Sequence, residues 1–252
     1  MKEIGRLREE AFRDSGGGSG LSMDIDEFDT MENPYQQLIV WDPDAERILR
    51  GYRYILGTDI KLGEDGQPLL ATSHMFHFSD KFIKDYLPYT IELGRSFVSP
   101  EYQSSKAGAK GLFALDNLWD GIGGLVATDP SIKYLAGKVT IYSTSPDKSR
   151  KAMIYYLEKF FGDREKMLVS KHPETCTDEE RAEFDAMFCA DTAKENYKIL
   201  NNFVKSMNDS IPPLIHSYIE LSSSMKTFGT TFDPDFGDCY DNTDVPKAIA
   251  EA

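Results

Sequence analysis

The chain has 252 residues, 40% of them hydrophobic, enough to bury a large core, and no stretch approaches the roughly 18–20 consecutive apolar residues of a membrane span. Its 28 Lys and Arg face 42 Asp and Glu, a formal charge of −14 that disfavours general attraction to nucleic acid or anionic lipid. Cys176, Cys189 and Cys239 are an odd number without metal-type spacing, which points to a reducing compartment and away from a disulfide framework.

The opening MKEIGRLREEAFR carries Ile4, Leu7, Ala11 and Phe12 at helical spacing with charges between them. It reads as an amphipathic helix, and neither as a secretory signal nor as a transit peptide. SGGGSG ends it. No strand precedes that run and no GK[ST] closes it, so a mobile active-site loop or a linker fits better than a phosphate cradle. The acidic DIDEFD leads into two strand-like runs, QQLIVWD and GYRYILG, which the polar PDAERILR joins into a hairpin. LGEDGQPL is a turn, SDKFIKDYL a short helix capped by Ser79, and YTIELGRSFV a strand.

Residues 109–126 place Leu112, Leu115, Leu118, Trp119, Ile122 and Leu125 at helical intervals, which predicts a buried helix. GKVTIYST is a short strand, and SRKAMIYYLEKFFG an amphipathic helix with Met153, Tyr156, Leu157 and Phe160 on one face. The order strand, helix, strand, helix implies a parallel or mixed sheet with helices on its faces. Residues 163–190 are polar and irregular, an insert. The part from 194 to 252 adds the helices KENYKILNNFVKSM and PPLIHSYIELSSSM, the second opening on proline, and one or two strands in TFGTTFDPDFGDCY. With no internal repeat or second core evident, residues 1–252 read as one elaborated α/β domain.

ELGRSFV is the informative stretch, because a strand that places an acid and a base around a glycine must pair them or use them. Residues three apart on a regular strand face opposite sides. Glu92 and Arg95 therefore converge only if a bulge at Gly94 shifts the alternation. Such a bulge also frees backbone N–H groups that could hold a thioester carbonyl and its oxyanion. On the residues alone, a buried ion pair that fixes the sheet stands beside the reactive reading. His74 and His77 lack further ligands, so no metal is expected, and the cysteines have no base partner.

ELGRSFV followed by PEYQ, the upstream DEFD, and the later PPLIHSYIEL with FDPDFGD together resemble the N-acyltransferase branch of the GNAT superfamily. That branch includes ornithine-lipid N-acyltransferases and hemolysin-like proteins and is similar to acyl-homoserine-lactone synthases. The resemblance runs from Ile4 to Gly237, with residues 163–190 poorly covered. It implies an α/β (α+β) GNAT-like fold, a mixed central sheet flanked by helices with a helical C-terminal elaboration. Carried over by position, it implies substrate contacts at Arg8, Phe12, Glu27, Asp29, Arg53, Ser96 and Phe97, with Glu92, Gly94 and Arg95 at the reacting centre. Val98 and the loose glycine motif around Gln103, Lys106 and Gly108 fall on the donor side. That motif matches the pyrophosphate loop of acetyltransferases only loosely, so the resemblance favours acyl carrier protein over coenzyme A, with no bound cofactor.

The expected reaction moves a long acyl chain from acyl carrier protein or acyl-CoA to the amine of an amino acid, giving an N-acyl amino acid or lyso-aminolipid. Glu92 would serve as base, Arg53 or Arg95 would clamp the acceptor carboxylate, and Glu27 and Asp29 would shape the acceptor side. Lys148, Arg150 and Lys151, with Lys138, are expected to dock the acidic carrier, and the helix over 109–126 to line the acyl tunnel. The expected setting is the cytoplasm, with peripheral membrane contact and no nucleic-acid partner. The alternative is a catalytically silent GNAT-like module that binds an acyl chain or its carrier.

Overall fold

The computed structural model describes residues 1–103, 119–222, 224–233, 236 and 239–245. Helix α1 (Lys2–Asp14) buries Ile4, Leu7, Ala11 and Phe12, as their spacing predicts, but also Arg8 and Glu9. Strands β1 (Gln36–Asp42) and β2 (Arg47–Leu56) form the expected hairpin. Its turn is held by Asp42 Oδ1, which accepts the amides of Asp44 and Ala45 at 3.0 and 3.1 Å. β2 begins earlier than GYRYILG, because Trp41 and Asp42 pair with Ile48 and Arg47 and draw the polar RILR into the ladder.

β3 (Phe76–Phe78) precedes α2 (Asp80–Asp85), where the Ser79 hydroxyl accepts the Phe82 amide at 3.2 Å, the cap read from the sequence. β4 (Thr90–Val98) is the ELGRSFV strand. Helix α3 is described over 119–128; the rest of the helix expected over 109–126 lies outside the described residues. β5 (Tyr134–Ile141) and α4 (Asp147–Phe161) follow, then β6 (Leu168–Ser170), α5 (Asp178–Met187), α6 (Ala193–Ser206), α7 (Pro213–Leu221), β7 (Lys226–Asp233) and β8 (Cys239–Val245). Among the described residues the main sheet runs β1-β2-β4-β5-β8-β7, antiparallel throughout except for β4 beside β5. This is a mixed sheet flanked by helices.

Residues 163–190 are not irregular. β6 pairs with β3, and α5 opens on a reciprocal cap in which Thr177 Oγ1 accepts the Glu180 amide while Glu180 accepts the Thr177 amide. The acidic run that reads as solvated loop is a helix start favoured by its own dipole. α5 inserts Phe184, which is fully buried, against Tyr155 of α4. Consequently α4 is buried on more than one face: Ala152 through Leu157 are all covered, whereas Phe160 is only partly so.

Because Phe184 joins α5 to the α4 core, Phe184→Ala should cost about 3–5 kcal/mol of unfolding free energy, read from denaturant midpoints. A cost near zero would make α5 an appendage.

Candidate active site

β4 carries different ladders on its two edges. Toward β2, Arg53 pairs with Gly94 and Gly51 with Phe97, so Tyr52 alone opposes Arg95 and Ser96. The bulge thus falls one residue beyond Gly94, and Arg95 adopts φ 49°. A non-glycine residue in that left-handed region costs about 1–3 kcal/mol and persists only where the surroundings impose it. Gly94 is not left-handed, and a Cβ there would make ordinary contact, 3.8 Å from Arg53 Nε. The bulge shifts the face alternation. Glu92 and Arg95 line one cavity and Phe97 packs under α1, whereas Leu93 packs with Tyr52, to which Ser96 hydrogen-bonds.

Toward β5, the parallel ladder runs from Thr90 and Tyr134 to Leu93 and Gly137 and stops, although both strands continue. A cavity of about 200 Å³ occupies the interval between Gly94–Ser96 and Lys138–Thr140, walled by Phe12, Phe236 and Pro212 to Leu214. A second cavity, of about 390 Å³, opens over Glu92 and is lined by Asp26, Tyr35, Arg53 and His172 among others. Both cavities touch Gly94, Arg95, Lys138 and Phe236.

Glu92 is 5% exposed. Its Oε2 accepts the Tyr35 hydroxyl at 2.6 Å and its Oε1 accepts the Thr72 hydroxyl. The Tyr35 oxygen in turn accepts the Ala71 amide at 3.2 Å. Burial, then the charge of Glu92, holds the Tyr35 phenol well above its usual range, so it remains a neutral donor. Tyr35 and Thr72 carry no pattern that sequence reading could use; one precedes β1, the other sits in a short helical turn after the loop that contains Pro68.

Beside this carboxylate lies a buried ionic network. Arg8, completely buried and not on the helix surface, grips Asp29 with two hydrogen bonds of 2.9 and 3.0 Å and also donates to Gln37. Arg53 donates to Asp26 at 2.6 Å and to Asp29 at 3.2 Å, with its guanidinium 4.9 Å from the Tyr35 ring centre. Arg95 Nε is 3.1 Å from Asp24 Oδ2, an ion pair whose angle falls short of a hydrogen bond, and its guanidinium lies 4.8 Å from the Phe236 ring centre. Burial pushes the Asp24 carboxyl up despite its arginine neighbours. At Asp26 burial also pushes up, but the Arg53 hydrogen bond and the charges of Arg53, Arg95 and Arg8 outweigh it and hold the carboxyl low. Asp24 and Asp26 were missed; the alternation in DIDEFD, which puts them on one side of an extended segment, was the available signal. Glu27, by contrast, is exposed at the cavity rim, 3.5 Å from His74.

The remaining expected residues scatter. Phe12 walls the smaller cavity, edge-on to Phe236 at 5.2 Å. Phe97 is core, and Val98 ends β4, its carbonyl accepting Gln103 Nε2 at 2.8 Å. Lys106 and Gly108 lie outside the described residues. Lys148, Arg150 and Lys151 pair with Glu183, Asp147 and Glu180 at 2.6, 2.5 and 2.8 Å. Their surface is charge-balanced, because α5 brings its acids against α4. Lys138 lines both cavities instead.

SGGGSG is not a loose linker. Glu9 collects it, accepting the Ser19 amide and hydroxyl at 3.0 and 2.8 Å and the Gly20 amide at 2.9 Å. Gly16, Gly18 and Gly20 take φ of 93°, 96° and 75°, and a Cβ on Gly17 would lie 2.9 Å from the Tyr142 ring and 3.0 Å from that of Phe236. The loop's amides are engaged by a carboxylate, which excludes the phosphate cradle in this arrangement.

A family model described as an acetyltransferase (GNAT) domain matches residues 7–111. Over 254 residues the chain is 58% identical to a glycine N(alpha)-acyltransferase of Bacteroides thetaiotaomicron, spanning 100% of this chain and 74% of that one. The chain belongs to the GNAT acyltransferase family. It is also 55% identical over 252 residues to a protein of the same name from Phocaeicola vulgatus, covering 100% of this chain and 76% of the relative. No solved structure matches it. As a GNAT N-acyltransferase it uses an acyl thioester and an amine. Among the described residues no group of His, Cys, Asp and Glu could hold a metal ion, and no helix is long and apolar enough to cross a membrane.

The loop latch has a pH signature. Burial pushes Glu9 up, but the Arg13 and Ser19 side chains and the Ser19 and Gly20 amides outweigh it, so the folded carboxyl titrates below its ordinary value. A depressed carboxylate stabilises the fold above the unfolded value of about 4.3 and loses that contribution as pH falls through the folded value. Glu9→Gln should therefore lower the melting temperature at pH 7, and the gap to the unmodified protein should narrow below about pH 4. A gap that stays constant with pH would show that the charge does not hold the loop.

Proposed function

We propose that this acyltransferase moves a long acyl chain from a thioester to the amine of glycine, giving an N-acyl glycine. The observation that carries the reading is the junction of the two cavities at Gly94 and Arg95, with Glu92 at the floor of the larger one. The names of the relatives, both glycine N(alpha)-acyltransferases, support glycine as the acceptor.

In this reading glycine enters the larger cavity and the thioester lies between the diverging strands. Glu92 takes a proton from the ammonium, held for that task by Tyr35 and Thr72. The freed amine attacks the thioester carbon; the C–N bond forms, the C–S bond breaks, and the second proton shed by the nitrogen goes with the departing sulfur, which leaves as thiol. The β4 backbone beyond Leu93, which has no β5 partner, supports the oxyanion. Arg95 and Lys138 at the junction are cations suited to the glycine carboxylate. Phe12, Val139, Leu214 and Phe236 give the donor interval apolar walls. The pairing of Lys148, Arg150 and Lys151 weakens the case for a carrier dock on α4, so both thioesters belong in the test.

Purified protein given long-chain acyl-CoA or acyl carrier protein thioester and a panel of amino acids should yield N-acyl glycine by mass spectrometry, with glycine preferred over alanine. Preference for another amino acid would overturn the glycine assignment, and absence of transfer to any α-amine would overturn the site. Glu92→Gln should lower kcat by about 10²–10⁴ with little change in donor KM. A kcat within about threefold of the unmodified enzyme would remove Glu92 from the role of base.

A further inference from the structure

Two turns of the chain wall the donor cavity beyond the sheet. Tyr142, which lines it, begins a turn in which the Ser145 amide donates to the Tyr142 carbonyl at 3.0 Å. Pro212, Pro213 and Leu214 line it where the connection from α6 enters α7. One carboxylate ties the two turns together. Asp209, on that connection, accepts the Ser149 hydroxyl at 2.7 Å and the Ser145 hydroxyl at 3.3 Å.

Local structure aims Asp209 at this place. Asn208 takes φ 56°, the left-handed turn that asparagine tolerates after a helix, and the amides of Asn208 and Asp209 close on the Lys205 and Val204 carbonyls of α6 at 3.1 and 3.2 Å. The carboxylate then meets the first turn of α4, where a negative charge is favoured and where Ser149 is completely buried. Arg150 braces the same turn, its Nη1 donating to the Ser145 carbonyl at 3.3 Å. A cation expected to dock a carrier thus holds a wall beside the donor cavity.

We infer that Asp209 is a positioning residue for the thioester donor: by tying the α6–α7 connection to the start of α4, it sets the distance between Tyr142 and Pro212–Leu214 and so the width of the donor interval. The inference rests on the acyl-transfer reading above. Among the described residues that line the acceptor cavity, none comes from 142–149 or 209–214, so the tie acts on one substrate. Ile211 and Leu214 also pack against the helical core, which keeps the connection in place when the tie is cut and leaves its wall displaced. A displacement of about 1 Å at a substrate-positioning wall can cost up to about 10²-fold.

The test measures binding and turnover separately. A thioether analogue of long-chain acyl-pantetheine, the arm that coenzyme A and acyl carriers share, has no carbonyl to attack and is titrated calorimetrically into the protein. N-acyl glycine formation from the matching thioester gives kcat and both KM values. Asp209→Ala should raise the Kd of the analogue and the donor KM about tenfold, with glycine KM and kcat at saturating donor within about threefold of the unmodified enzyme. Asp209→Asn, which keeps an oxygen for the serines, should recover most of the loss. Ser149→Ala should weaken the analogue by less and add nothing to Asp209→Ala, because the two share one contact. If Asp209→Ala does not fold, the double variant Ser145→Ala with Ser149→Ala cuts the same tie and should show the same tenfold rise. Unchanged donor binding in the variant that folds, or an equal rise in glycine KM, overturns the inference. Unmodified protein that binds the analogue but acylates no α-amine fails the acyl-transfer reading alone, and the Kd comparison still decides the role of Asp209; protein that does not bind the analogue overturns both.

Discussion

Everything distinctive about the site depends on how β4 is held after Leu93. Toward β2 it remains hydrogen-bonded to Val98 through a bulge, whereas toward β5 its ladder ends at Gly137. A strand secured on one edge and released on the other offers backbone polar groups in a fixed position, without the mobility of a loop. Ending the β5 ladder without the bulge would leave Glu92 and Arg95 on opposite faces. The bulge without the ending would place them together but leave no interval for a donor. The consecutive Pro212 and Pro213, which donate no N–H, give the interval a wall that does not compete for the β4 carbonyls.

The ionic network explains how a strained Arg95 is kept in place. α1 supplies Arg8, β2 supplies Arg53, β4 supplies Arg95, and the segment between α1 and β1 supplies Asp24, Asp26 and Asp29. Buried ion pairs contribute little net stability because desolvation offsets their attraction, yet removing one partner strands the other at a cost of about 3–5 kcal/mol. The network therefore acts as a constraint on geometry more than as a reserve of stability. Its three arginines face three aspartates, and Glu92, which lines the larger cavity, is held by the Tyr35 and Thr72 hydroxyls. Tyr35 joins the two systems, with its ring against Arg53 and its hydroxyl on Glu92.

Much of this was legible in the sequence, and the failures have physical causes. The Glu92 to Arg95 spacing announced a bulge, since two charged side chains on one strand must share a partner or a purpose. Its position was misread by one residue because glycine is the usual occupant of a left-handed bulge, whereas here a neighbouring ion pair and the Phe236 ring hold Arg95 there. The burial of Arg8 was not legible, because helical spacing does not reveal that a later acidic loop folds over it. The α5 helix and the β3–β6 pair were invisible for a related reason. Acidic residues dominate the first, and three-residue strands are too short to show alternation. Basic residues near Lys148 looked free because their partners lie about thirty positions away on α5.

A chain of formal charge −14 whose proposed acceptor carries a carboxylate, and whose donor is a coenzyme or carrier thioester, gains nothing from long-range steering. The cations of α4 face the acids of α5 at short range, so they add little to a distant potential that the net charge makes acidic and that is screened over about 10 Å at ordinary salt. Close to the site, Arg95 and Lys138 stand at the edge of both cavities and Arg53 lines the larger one. Charge at that depth is screened less by salt than charge at the surface, so in the proposed reading selection between acceptors rests on short-range geometry. In this arrangement the bulge does more than expose backbone. It brings Glu92 and Arg95 to one cavity, which a regular strand would keep apart.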